Sequence, residues 1–355
     1  MQDLDWDDLL SDIEEQNAVL LLGHGFQQTQ EGLRDHLQDK LGEKLLHTYD
    51  RDGLFLFADS EAKTMAQKEA ARYYRGLKNE DAQRKKIIEM PFPLIVSANP
   101  DKLLLDSFAK YQVPCQFDYF ASSYKTREYE VTRPTREKPL IYNLCGSQED
   151  RESLLLDYDD LFQMLKVLLA DLKIPNEVRL PLFKMTTYIF VGFHFERWYT
   201  QLFMRYLNMS ENRFSNKSSN YVLKTQFRDD DMQQFFLRQF NVKYIGADWS
   251  FFDELHQRFS QKYPDQLRKL TDLLSPTATT IISLIEQSNI SAAFSVLDGF
   301  SGQLDEDDKV LLTMTKSEYS QYEELKKEGT STEENLRIMM ARVRKNAIEL
   351  AKKLS

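Results

Sequence analysis

Three short segments place chemically capable side chains where an apolar run gives out. In Leu22-Gly23-His24-Gly25-Phe26-Gln27 two glycines bracket a histidine. Such a pair lets a backbone come close to a diphosphate, with the N–H groups of a following helix as donors. The same spacing also serves a plain strand-to-helix turn. In Ser97-Ala98-Asn99-Pro100-Asp101 the proline holds Asn99 extended, which presents its amide beyond the end of the run. Asn99 or Asp101 could instead cap the next helix. In Asn143-Leu144-Cys145-Gly146-Ser147 a thiol precedes a tight turn. It is either a nucleophile awaiting a base, which the sequence does not pair with it, or a small buried hydrophobe.

Each segment needs a scaffold that brings it to a common edge. Apolar runs at 18–22, 93–97, 139–144, 188–193 and 242–246 are continuous rather than alternating, as strands covered on both faces require. Helical patterns at 101–111, 159–172, 197–208, 229–240 and 250–262 lie between them, and Asp229-Asp230-Asp231 suits a helix start. The expected fold is α/β, a Rossmann-like doubly wound, mainly parallel sheet over 1–263, with ligands at the carboxyl ends of its strands.

After a linker at 264–276 the strand signal stops. Residues 277–355 read as a small all-α helical bundle, with helices near 277–287, 290–300, 308–327 and 332–353. In the last, Leu336, Met340, Val343, Ala347, Leu350 and Leu354 form a 4-3 apolar seam, and Ser331 with Glu334 can form a capping box. The bundle is expected to mediate association; a helical cap over the sheet is the other reading.

Composition narrows the function classes. Of 355 residues, 42% are hydrophobic, enough for one large core or two smaller ones. Two cysteines, Cys115 and Cys145, supply neither a disulfide framework nor a zinc cluster, so no metal is expected. A net charge of −10 argues against a nucleic-acid-binding body. The acidic start Met1-Gln2-Asp3-Leu4-Asp5 is unlike a signal peptide, and no apolar run approaches the roughly 18 residues of a membrane span. The reading is of a cytoplasmic protein without membrane or nucleic-acid partners.

Together the three segments resemble the sirtuin-like NAD-binding family, in particular its bacterial anti-phage defence branch. That family carries a Gly-Ala-Gly-x-Ser loop, a Thr-x-Asn-x-Asp loop and a His-Gly pair in this order. The matching positions here are Gly23 to Gln27, Ser97 to Asp101, and Cys145-Gly146. "LLLDYDDLFQMLKVLL" and "YIFVGFHFERWYTQLFMRYL" look like later family segments, so the resemblance spans about 10–262. It implies NAD as ligand or substrate, contacts to it from Gly23, Gly25, Phe26, Gln27, Ser97, Gly146 and Ser147, and hydrolysis to nicotinamide and ADP-ribose with Asn99 at the nicotinamide ribose and Asp101 as a further catalytic candidate.

Cys145 stands where the family's base, a histidine, would be. A thiol is a poor general base at neutral pH. His24, in place of the family's Ala, either substitutes as the base or fills the cleft; Gln27 replaces Ser. Two cysteines leave no zinc-binding subdomain of the deacetylating kind, so protein deacetylation is not expected. The tail is similar to effector-associated domains of bacterial conflict systems, which implies homo-oligomers and other effector-associated-domain proteins as partners through 277–355. Two functions follow: an immune effector that binds and hydrolyses NAD when clustered, or a catalytically inactive scaffold that recruits another effector.

Overall fold

The computed structural model describes residues 5–26, 29–78, 81–121, 131–169, 175–195, 197–207, 219–223, 235, 238–245, 250–270 and 276–354. The expected helix start at 229–231 lies outside them, as does Gln27. The chain divides into two compact units, Met1–Thr271 and Asp272–Ser355.

The first unit runs α1 (Trp6–Glu14), β1 (Ala18–Leu22), α2 (Thr29–Leu41), β2 (Leu45–Tyr49), β3 (Leu54–Phe57), α3 (Ser60–Gly76), α4 (Asp81–Glu89), β4 (Leu94–Ser97), α5 (Leu103–Lys110) and β5 (Gln116–Tyr119). It continues with β6 (Leu140–Asn143), α6 (Tyr158–Leu169), α7 (Asn176–Lys184), β7 (Thr187–Val191), α8 (Trp198–Leu207), β8 (Ser219–Leu223), β9 (Val242–Ile245) and α9 (Ser250–Lys262). Seven strands form one sheet in the order β5-β6-β4-β1-β7-β8-β9. Every pairing in it is parallel.

Alternate residues of the central strands bury opposite faces. Val19, Leu21, Val96, Tyr142 and Phe190 pack with α6, α7 and α8, while Leu20, Leu22, Ile95, Ile141 and Ile189 pack with α1, α4, α5 and α9. Burial on both sides accounts for the continuous apolar runs. The carboxyl ends are level: Leu22 pairs with Ser97 and Val191, and Ser97 pairs with Asn143. Topology and register therefore bring the three loops to one edge.

The antiparallel hairpin β2–β3 was not among the expected strands. Its turn rests on Gly53 at φ +68°, a conformation open to glycine. With α2 and α3 it builds a separate core around Leu37, Leu45, Phe55, Ala70 and Tyr74, closed by Leu154 and Leu156. The edge strand β5 and the strand β8, which lies between β7 and the other edge strand β9, were also unanticipated; both are short and carry buried polar residues, Gln116 and Asp118 in β5 and Asn220 in β8.

Residues expected to be linker begin as part of this unit. The buried guanidinium of Arg268 donates to the carbonyls of Arg136 (2.6 Å), Ile88 (2.9 Å), Phe92 (2.6 Å) and Met90. Its backbone N–H reaches the Glu89 carbonyl at 2.8 Å.

The second unit is α10 (Pro276–Glu286), α11 (Ile290–Gly299), α12 (Glu306–Glu328) and α13 (Glu333–Lys352). Its core joins Ile281, Ile285, Phe294 and Leu297 to Val343, Ala347 and Leu350. The seam of α13 is buried from Val343 onward, whereas Leu336 and Met340 are half-buried. The helix is capped by Thr332, whose hydroxyl accepts from Asn335 N–H at 3.3 Å, and not by Ser331. Gly329 ends α12 in a left-handed cap at φ +66°.

Candidate functional site

The loop after β1 is held from two sides. Gly23 N–H donates to the Val191 carbonyl at 2.7 Å and Gly25 N–H to the Gly192 carbonyl at 2.9 Å. A Cβ on Gly23 would lie closer than 3.0 Å to the backbone of Gly192, and one on Gly25 at 3.0 Å from its carbonyl oxygen. Gly192 itself has φ +74°, and a Cβ there would strike the Phe26 amide. The Cβ positions of these glycines are thus taken up by the crossing of two backbones, the β1 loop over the β7 loop. The glycines serve this close chain crossing, a use the sequence reading did not include.

The loop after β4 joins from the other side. Asn99 is 2% exposed, and its amide donates to the Gly23 carbonyl at 3.2 Å. Its N–H is anchored on the Ser97 hydroxyl at 3.1 Å. Asp101 accepts Leu103 N–H, the first of α5, at 2.9 Å from the position before the Lys102 cap, and its carbonyl accepts from the Asn143 amide at 3.1 Å. Burial nonetheless raises the Asp101 carboxyl to about 6, against the Leu103 hydrogen bond and the Arg84 charge.

The loop after β6 is closed upon itself. Gly146, at φ +91°, leaves no room for a Cβ against Ser153. The Ser153 hydroxyl accepts Ser147 N–H at 2.9 Å and donates to the Asp150 carbonyl at 2.6 Å. Gln148 N–H reaches the Pro100 carbonyl at 2.8 Å, tying this loop to the Asn99 segment. Burial pushes the Cys145 thiol up to about 12, although the Arg197 cation pulls the other way. Cys145 is therefore a protonated, 9% exposed thiol that packs in the main core.

His24 lies between the glycines, half-buried, with Nδ1 buried and without a hydrogen-bond partner among the described residues. Burial, then the charges of Arg197 and His194, push its imidazole down to about 3, against a hydrogen bond with Asn99. Its imidazole is therefore neutral at pH 7. Phe26 is buried in the sheet's core.

Arg197, Asn143, Gly192 and Ser153 escaped the sequence reading. Arg197 is 6% exposed and feels both His24 and Cys145. It donates to the Arg51 carbonyl at 2.9 Å and the Tyr199 hydroxyl at 2.9 Å, while Tyr199 donates to the Asp52 carbonyl at 2.7 Å. The hairpin turn is in this way fastened to the start of α8. The signal for Gly192 was present: a glycine ending an apolar run in Tyr188-Ile189-Phe190-Val191-Gly192.

The described residues contain no group of His, Cys, Asp and Glu arranged to hold a metal ion, and no described helix is long and apolar enough to cross a membrane. A search of curated proteins finds no match. Residues 93–245 match the SIR2-like domain family, and residues 276–355 match the family of effector-associated domain 11. The first match takes in the Asn99, Asp101, Cys145 and Arg197 segments, and the second takes in α10 to α13. The chain therefore carries a sirtuin-like α/β domain followed by an effector-associated helical domain.

Proposed function

We propose that the chain is a sirtuin-like effector or sensor of a bacterial anti-phage system, that its cleft binds NAD or a related nucleotide, and that turnover is slow or absent in the unclustered protein. The meeting of Asn99 with Gly23, beside the buried cation of Arg197, carries this reading. A polar amide, a loop backbone at the carboxyl edge of the sheet and a fixed guanidinium suit a ribose and a phosphate. NAD, when bound, supplies a cationic nicotinamide that leaves through an oxocarbenium-like state.

The chain's own residues divide the remaining work. Asn99 orients the ribose and the attacking water, and Arg197 offsets phosphate charge. No group at position 145 takes a proton, and loss of a general base costs about 10²–10⁴-fold. A second reading, NAD hydrolysis on clustering, is favoured by one observation: Asp101, with its carboxyl near 6, is ionised at neutral pH yet basic enough to accept a proton. The protein then works in the cytoplasm as an assembly, joined through its effector-associated domain to further copies or to other proteins bearing such domains.

Incubating the full chain with NAD, dispersed and clustered, and following nicotinamide release tests this. Binding without release supports the primary reading. Release on clustering supports the second, and the absence of both binding and release overturns the nucleotide role.

A further inference from the structure

The effector-associated unit has two dissimilar faces that complement each other. Along α13 runs a groove of about 870 Å³ with an apolar floor of Leu336, Met340 and Ile348, continued by Tyr322 of α12. Its walls carry Arg337, Lys345 and Lys352 and a single acid, Glu349; Arg344, also in the wall, is engaged with the Ser288 hydroxyl at 2.8 Å.

The first turns of α12 form the opposite kind of surface. Val310 and Met314 are 57% and 65% exposed, although both are large and apolar. Glu306, Val310 and Met314 are spaced by four and share one face, turned away from the buried Leu312 and Thr315. Glu306 and Asp307 make this ridge acidic, with Lys309 paired to Glu306 at 2.7 Å.

We propose that the ridge of one copy docks in the groove of the next, with Val310 and Met314 on the apolar floor and the acidic turn among the basic walls. Groove against groove would oppose cations, and ridge against ridge would oppose carboxylates; only the unlike pairing matches charge and shape. Because the two faces involve different residues, the contact is heterologous. Each added copy leaves a free ridge and a free groove, so assembly grows to a ring or a filament rather than stopping at a symmetric pair. This rests on reading the unit as an adaptor, and it names the adaptor's partner as a second copy of this chain.

The test uses the full chain in two variants, a groove variant, Arg337→Glu with Lys345→Glu, and a ridge variant, Val310→Lys with Met314→Lys. Sedimentation should show wild type growing with concentration, weakened by salt, and each variant associating at least about tenfold more weakly. An equimolar mixture of the two variants should give one-to-one pairs and nothing larger, because each retains one intact face. If a variant melts well below wild type, Lys352→Glu or Met314→Gln takes its place. Wild type that assembles while the variants assemble equally well, or variants that fail to pair on mixing, overturn the ridge-in-groove contact alone. Wild type that stays a single chain up to about 100 µM, a concentration that saturates a micromolar contact, overturns self-association altogether and leaves the adaptor only partners of other chains.

Discussion

The side-chain amide of Asn99 reaches the carbonyl of Gly23 at 3.2 Å, joining the loop that follows β4 to the loop that follows β1. That bond spans 76 positions of sequence and ties the two loops together at the carboxyl edge of the sheet. Asn99→Ala leaves the Gly23 carbonyl without this partner and removes the amide offered to a ribose. NAD binding measured by calorimetry should weaken at least about tenfold, in line with the loss of a buried hydrogen bond. Unchanged binding would remove Asn99 from the site.

The crossing of the β1 and β7 loops gives a ranked prediction. Gly192→Ala meets the Phe26 amide and requires φ +74°, whereas Gly25→Ala meets a carbonyl at 3.0 Å without a left-handed backbone. Urea unfolding should show a loss of about 2 kcal/mol or more for the former and less for the latter. Equal costs would mean that the crossing yields easily.

Cys145 should behave as a core side chain. With its thiol near 12, the thiolate is about 10³ times scarcer at pH 8 than for a free cysteine. Alkylation of native protein, read by mass spectrometry at this position, should be slower by at least that factor and should become rapid in denaturant. Cys145→His restores the sirtuin-like base; gain of nicotinamide release in that variant would show that only the base was missing.

Asp101 makes stability depend on pH in a definite direction. Its folded carboxyl lies near 6, above the ordinary 3.8 of a free aspartate, so the unfolded chain loses its proton first. The contribution is present below pH 4 and is lost as pH rises through 6, amounting to about 3 kcal/mol. Asp101→Asn keeps an oxygen for the Leu103 N–H and removes the titration. Its stability relative to wild type should therefore rise between pH 4 and 6 in denaturant melts, and a flat difference would contradict the buried carboxyl. In the hydrolytic reading, release by clustered wild type should rise through the same interval.

The doubly wound sheet was legible because strands buried on both faces, such as Ala18–Leu22 and Thr187–Val191, leave uninterrupted apolar runs. The hairpin was harder: Leu46 and Leu56 are 57% and 43% exposed, so its alternation does not track burial. Strand ends gave the loops of Gly23, Asn99 and Cys145, since chain order alone places them at the carboxyl edge. Arg197 was illegible because its importance comes from contacts with Arg51 and Tyr199 that depend on where the hairpin lands. The titration of His24 and Asp101 was equally hidden, for it is set by burial and not by residue type.

The four carbonyls gathered by Arg268 bear on how the two parts of the chain can be separated. A protein cut after residue 263, at the close of the last helix of the sheet unit, would lose its clasp on the approach to β4, the strand that delivers Asn99. Four carbonyls would then compete for water beside the core. A cut after residue 271 keeps the clasp, so the two truncations should differ in protease resistance although only eight residues distinguish them.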